Sequence, residues 1–284
     1  MQFIILLILV LGTNVSFATT VGTTPENAKM SIYETINKAG YQRMLTQRIA
    51  KSYMAIVCNL DHEKQEEHLK GSAKIFEKNL EDLDYSAPNE AIQTKVHYVK
   101  TLWQKNKFLY KNVYTEENAL KVLTFNNEIL KACDDVVLLL EEYAIKNEAS
   151  RNKKNKKSTH SLSSIINFSG KQRMLTQRIL LFSLANSYSI GDKELQVACL
   201  KESIRAFEEL FRALISCSKN TAEIDEELDV SSKAWVEMKK ELNNILSSEN
   251  NTAELKEQLA KMMQLGEEIL FSFDEVAFLY EREQ

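Results

Sequence analysis

Past residue 24, apolar side chains recur at three- and four-residue intervals in almost every window, and no stretch alternates with the period of two expected of a half-buried strand. The pattern predicts helices throughout. Thr24-Pro25-Glu26 reads as the opening of the first, with a cap, a Pro at the first helical position and an early acid, and the periodicity carries to about Asn59. Asp61 is placed as the cap of a second helix reaching about Leu83, before Asp84-Tyr85-Ser86-Ala87-Pro88. A third helix is expected from about Asn89 to Val113, and a fourth from Thr115-Glu116-Glu117 past Tyr143. Residues 146–161 are lysine-rich and lack an apolar stripe, which suits a linker or a solvated helical extension. The periodicity then restarts at Ile165–Tyr188, turns at Gly191-Asp192 into a helix ending near Cys217, and turns twice more at Thr221 and Ser247–Asn251. The predicted fold class is all-α: two tandem antiparallel four-helix bundles over residues 24–145 and 162–284, joined by 146–161.

The first residues break this pattern. Phe3 to Leu11 is an uninterrupted apolar run, and Ser16-Phe17-Ala18 supplies small residues for cleavage, so residues 1–18 read as a signal peptide. A membrane span needs about 20 apolar residues, roughly twice this run. No later stretch qualifies. The mature chain is therefore expected to be exported, periplasmic or secreted, and without a membrane span.

One segment stands out from the periodicity because it is written twice. Gln42-Arg43-Met44-Leu45-Thr46-Gln47-Arg48 recurs without change as Gln172-Arg173-Met174-Leu175-Thr176-Gln177-Arg178, preceded by Ile36-Asn37 and Gly40, or Ile166-Asn167 and Gly170. Weaker matches continue along the chain: Phe76 with Phe207, Trp103 with Trp235, Glu128-Ile129-Leu130 with Glu268-Ile269-Leu270, and Asp134 with Asp274. This is a tandem duplication. On a helix of about 100° per residue, positions 36, 40, 43, 47, 50 and 54 form one stripe that is apolar or small except at Arg43 and Gln47. The second copy repeats it, with Arg173 and Gln177 as the polar members. Desolvating such groups is unfavourable unless partners satisfy them. A mid-helix Gly costs about 1 kcal/mol against Ala, so Gly40 and Gly170 suggest a close backbone approach. A gap beside a planar five-donor cation suits an oxyanion. Arg48 and Arg178 lie about 140° round the helix from the first Arg and should not reach the same site. An equally available reading pairs Arg43 with Asp134 or Asp135, and Arg173 with Asp274 or Glu275, because first and last helices of such a bundle are antiparallel neighbours.

Composition narrows the function classes. Net charge is −4 over 284 residues and no basic stripe interleaves with aromatics, so no nucleic-acid partner is expected. Four His at 62, 68, 97 and 160 include no Glu-x-x-His pair, and His62 and His68 are read as solvated. With no metal-ligand spacing, phosphate loop or nucleophile elbow, the sequence predicts no metal, no cofactor and no enzyme activity. Of the cysteines, Cys199 and Cys217 are expected on one helix, roughly 27 Å apart and unable to bridge. Cys58 and Cys133 could meet across neighbouring helices, or all four act as small buried hydrophobes.

The pattern I-N-x-x-G-x-Q-R-M-L-T-Q-R-I resembles the first helix of the PilJ-type domain, the N-terminal sensory part of type IV pilus methyl-accepting transducers, and the related periplasmic helix of nitrate/nitrite sensor kinases. In the nitrate sensors, the Gly and the Arg three residues later sit at a dimer interface, where Arg side chains from two subunits grip one anion. The resemblance implies a ligand site at Gly40, Arg43, Gln47, Gly170, Arg173 and Gln177, with the two halves pairing as a pseudo-dimer around a nitrate- or nitrite-like anion or an organic acid. Signalling members also carry transmembrane helices and a cytoplasmic transmitter, and this sequence contains neither, so an envelope or transmembrane signalling protein is the expected partner. The alternative is a non-catalytic structural or protein-interaction bundle with internally paired Arg residues.

Overall fold

The computed structural model describes residues 29–111, 113–151, 160–247 and 252–283. The expected signal segment, the Thr24-Pro25-Glu26 helix start and residues 152–159 of the lysine-rich stretch lie outside the described residues. Among the described residues there are eight α-helices and no strand: α1 Ile32–Val57, α2 His62–Ser86, α3 Glu90–Asn106, α4 Glu116–Arg151, α5 Leu162–Ser187, α6 Lys193–Ile215, α7 Ala222–Ser247 and α8 Thr252–Arg282. The fold is all-α and built of helical bundles.

The boundaries correct several expectations. The first helix starts at Ile32, because Ser31 and Glu34 form a reciprocal capping box, and residues 29–31 before it are not helical. Asp61 stands at the cap position of α2 but makes no side-chain cap bond, since its backbone is left-handed (φ 46°). A capping side chain needs extended backbone. Asp192 has that conformation, and its Oδ1 accepts from Leu195 N at 2.9 Å. The third helix stops at Asn106 and tightens into a 3₁₀ turn, Lys107–Lys111. Helix α4 runs on to Arg151, so the first part of the expected linker is helical. Cys217 lies just beyond the end of α6, not on it, and all four cysteines are free thiols.

Helices α1 and α5 are buried almost continuously, over Thr35–Ile56 and Ser163–Ala185. A helix buried on every side sits at the centre of an assembly, and these two make the most extensive helix contact in the molecule, with each other. Around them, α2 and α4 pack on α1, and α6 and α8 pack on α5. Helix α3 closes against α4, and α7 against α8. Each half has an aromatic anchor at the matched positions. Phe76 meets Trp103 with ring centroids 4.7 Å apart, and Phe207 meets Trp235 at 4.3 Å.

Candidate functional site

The seam between α1 and α5 holds both copies of the heptapeptide. At its centre two glycines touch: a Cβ added to Gly170 would lie 3.3 Å from Gly40 Cα and 3.2 Å from Arg43 Nη2. A Cβ on Gly40 would lie 3.5 Å from Arg43 Nη2 and 3.6 Å from Arg173 Nη2. Absence of side chains at both positions lets the backbones approach, and both guanidinium groups converge on the gap. Gly40, Arg43, Gly170 and Arg173 are thus brought together.

Each guanidinium is neutralised within its own half and tied to the other. Arg43 Nη1 donates to Asp134 Oδ1 at 2.6 Å, and its Nη2 donates to Asn167 Oδ1 at 2.7 Å and more weakly to the Asn167 carbonyl. Reciprocally, Arg173 Nη1 donates to Asp274 Oδ1 at 2.7 Å and Nη2 to Asn37 Oδ1 at 2.6 Å. The asparagines are held from behind, Asn37 Nδ2 donating to Glu281 and Asn167 Nδ2 to Glu141. Arg43 is fully buried and Arg173 nearly so, whereas the side chains of Asp134 and Asp274 are 36% and 34% exposed. Burial pulls the Arg43 pKa below its ordinary value and Asp134 works against that shift. Among the described residues, only the Nε atom of each guanidinium is left without a partner.

The remaining motif positions divide cleanly. Gln42 Nε2 donates to the Phe76 carbonyl at 3.0 Å and Gln172 Nε2 to the Phe207 carbonyl at 2.9 Å, so the first Gln bridges to the neighbouring helix in both copies. Met44, Leu45 and Leu175 are core, and Met174 packs against it. Gln47 pairs its amide with Asn126 through two 3.1 Å bonds. Gln177 is equally buried, yet neither of its amide atoms finds a partner among the described residues. The position matching Asn126 is Gly266, and Leu180 fills the space there, 2.5 Å from where a Cβ would stand. Neither Gln47 nor Gln177 bonds to the Arg43–Arg173 pair; Gln47 Oε1 instead accepts from Arg178 Nη1 of the other half at 3.3 Å.

A second charged cluster escaped the sequence reading. Glu267 of α8 accepts from Arg48 Nη2 at 2.7 Å and from Lys51 Nζ at 3.2 Å. Lys51 is sealed from solvent, and burial depresses its pKa from 10.5 to about 8. Burial acts to raise the Glu267 carboxyl, but the Lys51 and Arg48 charges prevail and hold it below its usual value. His68 joins the cluster, half-buried on α2 with its pKa lowered by burial and then by Arg48 and Lys51, which corrects the expectation that it is solvated. No repeat signal could have found Lys51 or Glu267, because Leu181 and Asn127 stand at the matching positions. Asn37 and Asn167, by contrast, lie inside the repeated pattern.

The family model described as the type IV pili methyl-accepting chemotaxis transducer N-terminal domain, PilJ, matches residues 33–124 and 156–260. The chain belongs to the PilJ family. Both copies of the heptapeptide and both asparagines fall inside the matched segments, while Asp134, Asp274 and Glu267 fall outside them. No curated protein and no solved structure shows a match. Among the described residues, no helix is long and apolar enough to cross a membrane, and no group of His, Cys, Asp and Glu could hold a metal ion.

Proposed function

We propose that the chain is an exported, non-catalytic sensory module whose two PilJ repeats form a dimer within one polypeptide and report to a separate envelope or transmembrane signalling protein. The observation that carries this reading is the exchange across the seam, Arg43 to Asn167 and Arg173 to Asn37. Buried polar contacts of this kind fix register, since sliding α1 along α5 would strand both charges. A partner that shifts one half then shifts the other. The test is the double substitution Asn37→Ala/Asn167→Ala, followed by hydrogen exchange: protection along α1 and α5 should fall and the melting temperature with it. Unchanged protection there would overturn the reading. Export is tested by the mass of the secreted chain, which should begin at Thr19.

A second reading, a small oxyanion held at Gly40, Arg43, Gln47, Gly170, Arg173 and Gln177, is favoured by the convergence of both Nη2 atoms beside the glycines. Asp134 and Asp274 are the exposed half of each pair, so they are the groups that would swing aside for nitrate, nitrite or an organic acid. A thermal-shift screen with those anions on wild type and Arg43→Ala/Arg173→Ala decides it. A shift larger in the wild type than in the double variant supports the site; equal shifts, or none, remove it.

A further inference from the structure

The repeat provides an internal control for the Arg48 cluster. In register, Arg48 corresponds to Arg178, Lys51 to Leu181, His68 to Cys199 and Glu267 to Asn127. The first set is a complete ion cluster in which both Glu267 oxygens are engaged. The second keeps a cation and lacks the anion. Arg178 reaches Asn127 Oδ1 at 3.3 and 3.4 Å, Gln47 Oε1 at 3.3 Å and the face of Phe182, 4.7 Å from the ring centroid. Cys199 and Glu202 both favour the charged guanidinium, against the larger effect of burial. Among the described residues no carboxylate forms an ion pair with Arg178. Charge-assisted bonds run at about 2.7–2.9 Å, so these contacts are long for a guanidinium. Arg178 is half-buried, and its partner Asn127 is exposed.

We propose that Arg178, with Asn127, binds a planar oxyanion, a small carboxylate or nitrate, where Glu267 stands in the other half. Two anion oxygens would take the paired Nη1 and Nη2 donors, and Asn127 would turn its amide nitrogen toward the ligand. Arg178 comes from α5 and Asn127 from α4, so the anion would bridge the two halves of the molecule. The site is independent of the Arg43–Arg173 centre.

The test is thermal unfolding of the full chain titrated with formate, acetate or nitrate at constant ionic strength, with chloride as the balancing salt. The wild type should show a saturable rise in melting temperature beyond the chloride control. A response to carboxylates alone assigns that class, and a response to nitrate as well assigns any planar oxyanion. Asn127→Glu supplies the missing carboxylate internally: it should unfold at a higher temperature in chloride and lose the anion response. Arg178→Gln should weaken binding at least about tenfold, the scale of one charge-assisted contact. The response should persist in Arg43→Ala/Arg173→Ala, which separates this site from the central one. No saturable rise in the wild type, or an undiminished rise in Asn127→Glu, would overturn the proposal; the exposed position of Asn127 keeps that variant informative even if Arg178→Gln does not fold.

Discussion

The front of the heptapeptide meets the same surroundings in both halves of the molecule, and its tail does not. Gln42 and Gln172 donate to matched phenylalanine carbonyls, and Arg43 and Arg173 each bind a home aspartate and a foreign asparagine. Beyond that point Gln47 has Asn126 where Gln177 has none, and Arg48 has Glu267 where Arg178 has Asn127. Identical residues therefore carry different energetic burdens. The matched front lies nearest the pseudo-symmetry centre, where a change in one half must also suit the other. The tail faces separate surroundings in each half, and these were free to diverge.

The largest effects are expected at the matched front. Asp134→Ala or Asp274→Ala leaves a buried guanidinium without its carboxylate, which costs about 3–5 kcal/mol for a broken buried pair. The two losses should agree to within about 1 kcal/mol in urea unfolding, because geometry and burial agree. A larger difference would break the equivalence of the centres. Replacing both members of one pair, as in Arg43→Met/Asp134→Leu, should recover much of the loss.

The tail should respond unequally. Glu267→Gln strands Lys51 and Arg48 and should destabilise by about 3 kcal/mol, whereas Asn127→Ala at the matching exposed site should stay within about 0.5 kcal/mol. Lys51 adds a pH signature. Its folded pKa is lowered from 10.5 to about 8, so between these values the unfolded chain binds more protons and stability rises with pH. Over the full window this one group contributes up to about 3 kcal/mol, from about 1.4 kcal/mol per pKa unit. The buried thiols of Cys58 and Cys133, whose pKa values burial raises, act in the opposite direction. The measurement is therefore the difference between wild type and Lys51→Leu: the alkaline rise should be present in the first and absent in the second.

This division also marks what the sequence could reveal. Helix content followed from periodicity, and the Gly–Arg stripe followed from its repetition, because both are local or duplicated signals. The Asp134 and Asp274 partners were accessible through bundle geometry, which sets first and last helices side by side. The asparagine exchange was written in the repeat, but its meaning depended on α1 facing α5, a long-range fact no spacing encodes. His68 is expected to be solvated and nothing local singles out Lys51, because the Glu267 that gathers them comes from α8 in the other half. The α1 start at Ile32 differs from the expected one because Ser31 and Glu34 form a reciprocal capping box.

Smaller differences test the seam itself. Gly170→Ala places a methyl 3.2 Å from Arg43 Nη2 and 3.3 Å from Gly40 Cα, a contact that backbone cannot easily relieve. Gly40→Ala meets nothing closer than 3.5 Å. The helix preference for Ala over Gly, about 1 kcal/mol, should therefore survive at residue 40 and be cancelled or reversed at 170. Equal melting temperatures for the two variants would mean that the halves approach symmetrically after all.

The smallest expected effect lies in the turns after α1 and α5, where the chain adopts left-handed backbone twice in each half. Asn59 matches Ser189, with φ of 56° and 54°, and Asp61 matches Gly191, with φ of 46° and 91°. The second turn thus uses glycine where the first uses aspartate, and Asp61 gains no capping bond in return. An L-residue held left-handed costs roughly 1 kcal/mol, whereas glycine takes the conformation freely. Glycine also loses more chain entropy on folding, so Asp61→Gly should stabilise by only a few tenths of a kcal/mol. Gly191→Asp should do the reverse and by more, because a Cβ there would stand 2.9 Å from Leu120 Cδ2 as well as carrying positive φ. Chemical denaturation of both variants checks the sign; a destabilised Asp61→Gly would mean that this carboxylate has a role in the turn beyond its backbone conformation.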